Sequence, residues 1–253
     1  MRRSRRLILT MGVVAALTGC TTQSPARPAP TASSALSASP VLSVPADPAD
    51  LLVPAATALT GKNLRFSLGT PNDREEGRYD AASGLASLRR TRDGRRLETI
   101  TAGPELYLLG VAPDGSVLRV DVARLPDSHG LVPLADPLAA LRLITGVTEV
   151  QRTSDGYSGR IDLTRVDPGP SPATQRIVAR FLGAAAERAG SVPFTARVDA
   201  QGRLEYFRAT FPRPEPAQGL EYEFTVLEVG GTASVGRPAG PQVVDAPSGV
   251  YAP

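Results

Sequence analysis

Cys20 is the only thiol in the chain, and it stands directly after Leu17-Thr18-Gly19. A thiolate can act as a nucleophile or as a metal ligand. A zinc or iron site needs further His or Cys ligands, and the only histidine is His129, in a loop with Pro126 and Gly130 beside it. A lone imidazole in such a loop reads as a solvated side chain. Two carboxylate pairs, Glu75/Glu76 and Glu221/Glu223, have the residue types that glycoside chemistry uses. The first sits at a turn and the second alternates with Tyr222 and Phe224, so both read as the polar face of a strand. There is no Gly-x-Ser-x-Gly elbow and no Gly-rich phosphate loop ahead of a helix. These residues give little support to an enzyme, and neither a cofactor nor a metal is expected.

The setting of Cys20 is more telling. Arg2, Arg3, Arg5 and Arg6 precede an apolar run over residues 7–17, followed by small residues up to the cysteine. A basic start, a short apolar middle and small residues before a cleavage point make a secretory signal peptide. The run is too short to span a bilayer, which takes about 20 residues. Leu-Thr-Gly-Cys resembles a bacterial lipobox, in which the cysteine receives a diacylglycerol and becomes the N-terminus after cleavage. Residues 1–19 are then the signal, and Cys20 is the lipidated residue. Two acyl chains hold a protein stably at a membrane where one does so only marginally. The expected location is the extracytoplasmic face of the cell membrane, with membrane lipid as a partner. An ordinary secretory signal with an incidental cysteine is the alternative.

The chain carries 28 Lys+Arg and 25 Asp+Glu, net +3. With the four leader arginines gone, 24 basic and 25 acidic residues leave a net charge of −1. A nucleic-acid partner, which needs a clustered basic surface, is therefore not expected. Lys62 is the only lysine, and the abundance of Arg, Ala, Gly and Pro suggests a GC-rich, actinobacterial genome. With Cys20 lipidated no disulfide remains, so the fold must rest on its core. Some 200 residues past the leader and stalk are ample for one domain.

Residues 20–46, Pro-, Ser-, Ala- and Thr-rich with a single charge at Arg27, bury too little apolar surface to order themselves and read as a stalk. Residues 47–247 form the domain, and 248–253 a tail. A helix is expected over 50–59, with Asp47 as cap, Pro48 in the first turn and Pro54 inside it. Strands follow at 64–68, 76–80, 85–91, 96–101, 106–110 and 117–121. Ser83-Gly84, Asp93-Gly94 and Asp114-Gly115 read as hairpin turns. Asp136-Pro137 opens a second helix to 145, with Leu138, Leu141 and Ile144 on one face. A hairpin over 147–152 and 157–166 turns at Asp155-Gly156. A third helix, capped by Ser171 or Thr174, runs to about 189. Strands at 192–199, 204–211 and 220–229 close the domain, before a short apolar run at Val243-Val244. Repeated hairpins imply an antiparallel meander. The expected class is α+β: a single curved antiparallel sheet with about three helices on one face.

That sheet offers apolar area. Phe194, Ala196 and Val198 share one strand face, as do Phe207, Ala209 and Phe211, then Tyr222, Phe224 and Val226, and Leu106 with Leu108 continue it. The pattern fits a core packed beneath the helices, which most of these residues must serve, and the sharper alternative is a cavity between sheet and helices.

The order and spacing of several short motifs carry a family resemblance. They are Cys20; Gly77-Arg78-Tyr79-Asp80 with Gly84; Val120-Asp121 with Leu125; Asp136-Pro137-Leu138 through Gly146; and above all the hairpin from Val192-Pro193-Phe194-Thr195 through Asp199 to Gly202-Arg203-Leu204. On these residues the chain, over about 47–247, is similar to the mycobacterial LppX/LprA/LprF/LprG lipoproteins, a branch of LolA-like half-barrels. It departs from them at Glu228-Val229-Gly230-Gly231, where many relatives read Phe-Gly before Pro-Val. The resemblance implies a half-barrel whose concave side binds acyl chains of lipids or glycolipids and moves them towards the cell surface, with a membrane transporter as a possible partner. Carried over, the ligand would meet Leu138, Leu141 and Ile144, then Ile177 and Phe181 of the third helix. On the strands it would meet Leu106, Leu108, Phe194, Ala196, Val198, Phe207, Ala209 and Phe224. Phe194→Arg and Ala196→Trp are then expected to abolish lipid binding while the fold survives. A monomer is expected. Two classes of function stand: a lipid carrier with a hydrophobic cavity, and a surface interaction module with a filled core and no lipid ligand.

Overall fold

The computed structural model describes residues 47, 49–70, 73–92, 95–211, 220–232 and 234–252. Cys20, the leader, the stalk, Pro48 and the Asp93-Gly94 turn lie outside the described residues. The chain divides after Ser43, and among the described residues every buried core residue belongs to the unit Val44–Pro253. This unit therefore contains its own core.

Helix α1 spans Ala49–Thr57 and presents Leu52, Ala55 and Ala56 inward, with Leu59 just beyond it. Pro54 sits inside the helix, where it has no N–H to donate; its carbonyl still accepts from Ala58 N at 2.8 Å. Six strands follow: β1 (Leu64–Thr70), β2 (Asp73–Asp80), β3 (Leu85–Arg92), β4 (Arg95–Ala102), β5 (Glu105–Leu109) and β6 (Val117–Asp121). After α2 (Ala140–Leu143) come β7 (Val147–Thr153) and β8 (Gly156–Ile161), then α3 (Pro172–Ala185). The chain ends with β9 (Val192–Val198), β10 (Leu204–Phe211), β11 (Leu220–Val229) and β12 (Val243–Asp245).

All twelve strands join one curved, unclosed sheet in the order β12-β6-β5-β4-β3-β2-β1-β11-β10-β9-β8-β7. Every pairing is antiparallel except β12 on β6. The α+β half-barrel expected from the alternating pattern is the fold observed. Strand pairing of β1 with β11 stitches the first meander to the last hairpin. Alternation then places Phe66, Phe207, Phe211 and Phe224, all fully buried, on one face. Phe66 stacks on Phe224 at 5.5 Å, and Phe181 of α3 stacks on Phe211 at 4.6 Å. Tyr222 meets Phe181 edge-on at 5.5 Å; burial, with the Asp136 and Glu75 carboxylates adding to it, pushes its phenol pKa up. Gly77 allows the Phe66 ring to lie on β2, since a Cβ there would stand 2.3 Å from the ring.

Several local expectations change. Residues 136–146 do not form one helix. Bonds from Ala139 N to Asp136 O, Leu141 N to Leu138 O and Arg142 N to Ala139 O follow the tighter i→i+3 pattern, so only four residues are α-helical before a 3₁₀ turn at Ile144–Gly146. The 157–166 strand stops at Ile161 because the Asp162 carboxylate accepts from Thr164 N at 2.9 Å and caps a 3₁₀ turn. The β7–β8 turn is Ser154-Asp155, with Gly156 already in β8. Asp114-Gly115 lies within a longer loop between β5 and β6, where Gly115 N bonds Ala112 O at 3.1 Å. Of the two expected caps on α3, Ser171 is used, accepting from Thr174 N.

That helix stops short of 189 because Ala186 turns to φ +45. A non-glycine residue held there is strained by on the order of 1 kcal/mol. Ala186→Gly is expected to raise stability by about that much, which urea denaturation measures; a variant less stable than the parent would show that the turn is not strained.

A second, smaller cluster lies apart from the main core: Ile100, Ala102 and Tyr107 under Val235. Here the segment after β11 straps back over β4 and β5. Arg237 donates to the Tyr107 hydroxyl at 2.9 Å and pairs with Glu105, while that hydroxyl donates to Glu105 at 2.6 Å. The hydroxyl and then Arg237 hold the Glu105 carboxyl below its ordinary pKa, against opposing desolvation. Such a lowered carboxylate supports the fold fully above its unfolded pKa, about 4.3 for Glu, and loses that support as the pH falls through the lowered value. Hydrogen-exchange protection factors over residues 235–245, corrected for the intrinsic pH dependence of exchange, should therefore fall below about pH 4; unchanged protection there would contradict the clip.

Candidate functional site

The main opening in the described residues is a cleft of about 360 Å³ between the sheet and the helical segments. Its floor is the inner face of β2, β3 and β4, at Tyr79, Ala86 and Thr101. One wall is α1, which brings Val53, Ala56, Thr57 and Leu59. The facing wall is the 135–145 segment, with Pro137, Leu138, Leu141 and Ile144. The start of α3 closes the back at Ser171 and Thr174. Thr60, Gly61, Gly84, Gly103 and Arg142 are exposed and form the rim.

Local chemistry fixes these walls. Asp136 accepts from Leu138 N at 3.0 Å and from the Thr174 hydroxyl, tying the 136–145 turn to α3. Thr101 donates to Leu134 O at 3.0 Å and ties the turn before it to β4. Thr145 donates to Arg142 O at 2.7 Å and accepts from Asp167 N at 2.9 Å, which anchors the loop leading into α3. The 3.0-residue turn of the 3₁₀ path stacks side chains at i and i+3, so Leu138, Leu141 and Ile144 still share a face, as the sequence pattern implied. Several polar groups of the walls are thus spent on holding the segment, and the surface left to the cleft is mixed, more apolar than polar.

Of the thirteen expected ligand-contacting residues, Leu138, Leu141 and Ile144 line this cleft. The other ten lie elsewhere. Phe194, Ala196, Phe207, Ala209 and Phe224 are packed core residues of β9, β10 and β11, and Phe194 stacks on Phe207 at 6.1 Å. Leu106 and Leu108 are buried in β5, Ile177 and Phe181 in α3, and Val198 packs against the same core at the end of β9. The physical reason is the aromatic volume: rings from β1, β10 and β11 and from α3 fill the space between sheet and helix. Tyr79, Ala86 and Thr101, on strands already expected, complete the floor and were not among the expected ligand contacts, Tyr79 having entered only through the family motif. Inward alternation along 77–79 and 86–88 was the available signal.

The carboxylate pairs separate. Glu75 faces inward and pairs with Arg90 at 3.4 Å, while Glu76 points outward. Glu223 is buried against Arg74 at 2.5 Å, and Glu221 pairs with Arg208 across β10–β11. His129 accepts from Leu131 N at 3.1 Å and closes its own loop. Among the described residues, no group of three or more His, Cys, Asp or Glu is placed to hold a metal, and no helix is long and apolar enough to cross a membrane. Neither known protein-family models nor curated proteins match the chain.

Proposed function

We propose that this chain is a lipoprotein, held by lipidated Cys20 at the extracytoplasmic face of the cell membrane, that binds an acyl chain of a lipid or glycolipid and carries or presents it in the cell envelope. One observation carries the reading. A half-open cleft, more apolar than polar, persists between α1, the 136–145 turn and the sheet floor, in a domain whose aromatic residues are otherwise mostly packed into the core. Each methylene withdrawn from water there contributes about 0.8 kcal/mol, so a modest length of chain suffices for micromolar binding.

A single substitution tests the site. Thr57 is exposed at the end of α1, where its hydroxyl only returns to Val53 O at 2.8 Å. Thr57→Trp should place an indole over the cleft, lower uptake of a fluorescent fatty-acid probe at least tenfold, and move stability by no more than about 0.5 kcal/mol. Probe uptake equal to the parent's would remove this cleft as the site. The same filled interior favours a second reading, a surface interaction module without a lipid ligand, and a protein that takes up no lipid at all would support it.

A further inference from the structure

The cleft carries one cation that no described residue neutralises. Arg142 follows Leu141 at the rim, and its guanidinium lies over Gly169, where a Cβ would stand 3.1 Å from its Cζ. Its backbone carbonyl is taken by Thr145, but among the described residues its side chain makes no ion pair or hydrogen bond. The arginines of α3 differ. Arg176 is bound to Asp127, Val122 O and Leu125 O, and Arg180 to the carbonyls of Ser128 and His129. The acid lining the cleft, Asp136, is committed to Leu138 N and the Thr174 hydroxyl. Arg142 therefore brings five N–H donors in a planar fork to the rim of a cleft that is more apolar than polar, and such a fork matches a carboxylate in bidentate fashion.

We infer that the cleft takes a single-chain fatty acid, its chain against Ala56, Ala86, Leu138 and Leu141 and its carboxylate on Arg142. This rests on the lipid-binding reading above and adds the headgroup charge and the number of chains. Volume sets the number: about 360 Å³ lies at the small end of the roughly 300–1,000 Å³ typical of ligand pockets, enough for one chain and its head. Charge sets the headgroup, because a neutral head would leave the guanidinium as it stands while a carboxylate gains a charge-assisted pair.

The test compares palmitate with hexadecanol, which share a chain length and differ in the head, on the Val44–Pro253 protein by displacement of a fluorescent probe. The parent should prefer palmitate by about tenfold, the size of a charge-assisted pair at a partly exposed site. R142A should erase that preference, R142K should restore part of it as a point charge without the fork, and the preference should shrink in high salt. A preference that survives R142A, or a parent that binds both probes equally, overturns the headgroup assignment and leaves the lipid-binding reading standing. Uptake of neither probe overturns both.

Discussion

Phe194→Arg should leave no cooperatively folded domain. Phe194 is only 3% exposed and stacks against Phe207 across the β9–β10 pairing. Removing a buried phenylalanine costs about 3–5 kcal/mol in lost burial and cavity. The guanidinium adds several kcal/mol more, because its cross-strand neighbours Gly159 and Ala209 and the stacked Phe207 cannot pair with a buried charge. Against a total of about 5–15 kcal/mol for a domain, that sum removes most or all of the stability. Thermal denaturation followed by circular dichroism is the measurement, and the expected trace has no cooperative transition. A melt close to the parent's would mean that Phe194 faces open space. The outcome also separates the two accounts of this residue, since a cavity-lining Phe194 would tolerate arginine and lose only ligand.

Gly159→Ala should be strongly destabilising although it adds a single methyl group. Gly159 lies in β8 between Val150 of β7 and Phe194 of β9. A Cβ there would stand 1.7 Å from Glu149 O and 2.9 Å from a Phe194 ring carbon. The carbonyl is backbone and cannot swing aside as a side-chain tip can, so β7 must shift along its length or detach. Overpacking of this kind costs about 3 kcal/mol, and as β7 is the edge strand the loss should concentrate there. Urea denaturation gives the total, and hydrogen exchange should show β7 opening ahead of β9 and β10. A variant within about 0.5 kcal/mol of the parent would show that the edge accommodates the methyl without cost.

Why so much of the sheet was legible, and so little of the site, follows from the physics of each. β10 and β11 begin and end where alternation and turn residues place them, because period-2 burial at Phe207, Ala209 and Phe211 is a local property of the chain. The hairpin at Gln201-Gly202 is equally local: Asp199 accepts from Gln201 N and Arg203 N, both at 2.9 Å. Short 3₁₀ turns were missed where one carboxylate recaptures a backbone N–H, as Asp162 does beyond β8. The cleft is a non-local feature. Phe194 and Leu138 look equally apolar in sequence, yet one is stacked beneath rings from distant strands and the other faces a gap that α1 and the 136–145 turn leave open. Only the register of β1 against β11, and the ring stacking it creates, decides which apolar faces are filled. Arg142 escaped for a related reason, since whether an arginine is paired depends on its neighbours in space. Sequence analysis marked apolar surface correctly and could not tell used surface from free.

The most direct measurement is mass spectrometry of an organic extract of the Val44–Pro253 protein, purified under native conditions from an actinobacterial host, beside the Thr57→Trp variant prepared in the same way. A defined acyl lipid at near-equimolar amount with the parent, and largely missing from the variant, is the result expected of a carrier that uses this cleft. A parent free of lipid that also takes up no added fatty acid would contradict lipid carriage and leave the half-barrel as an interaction module.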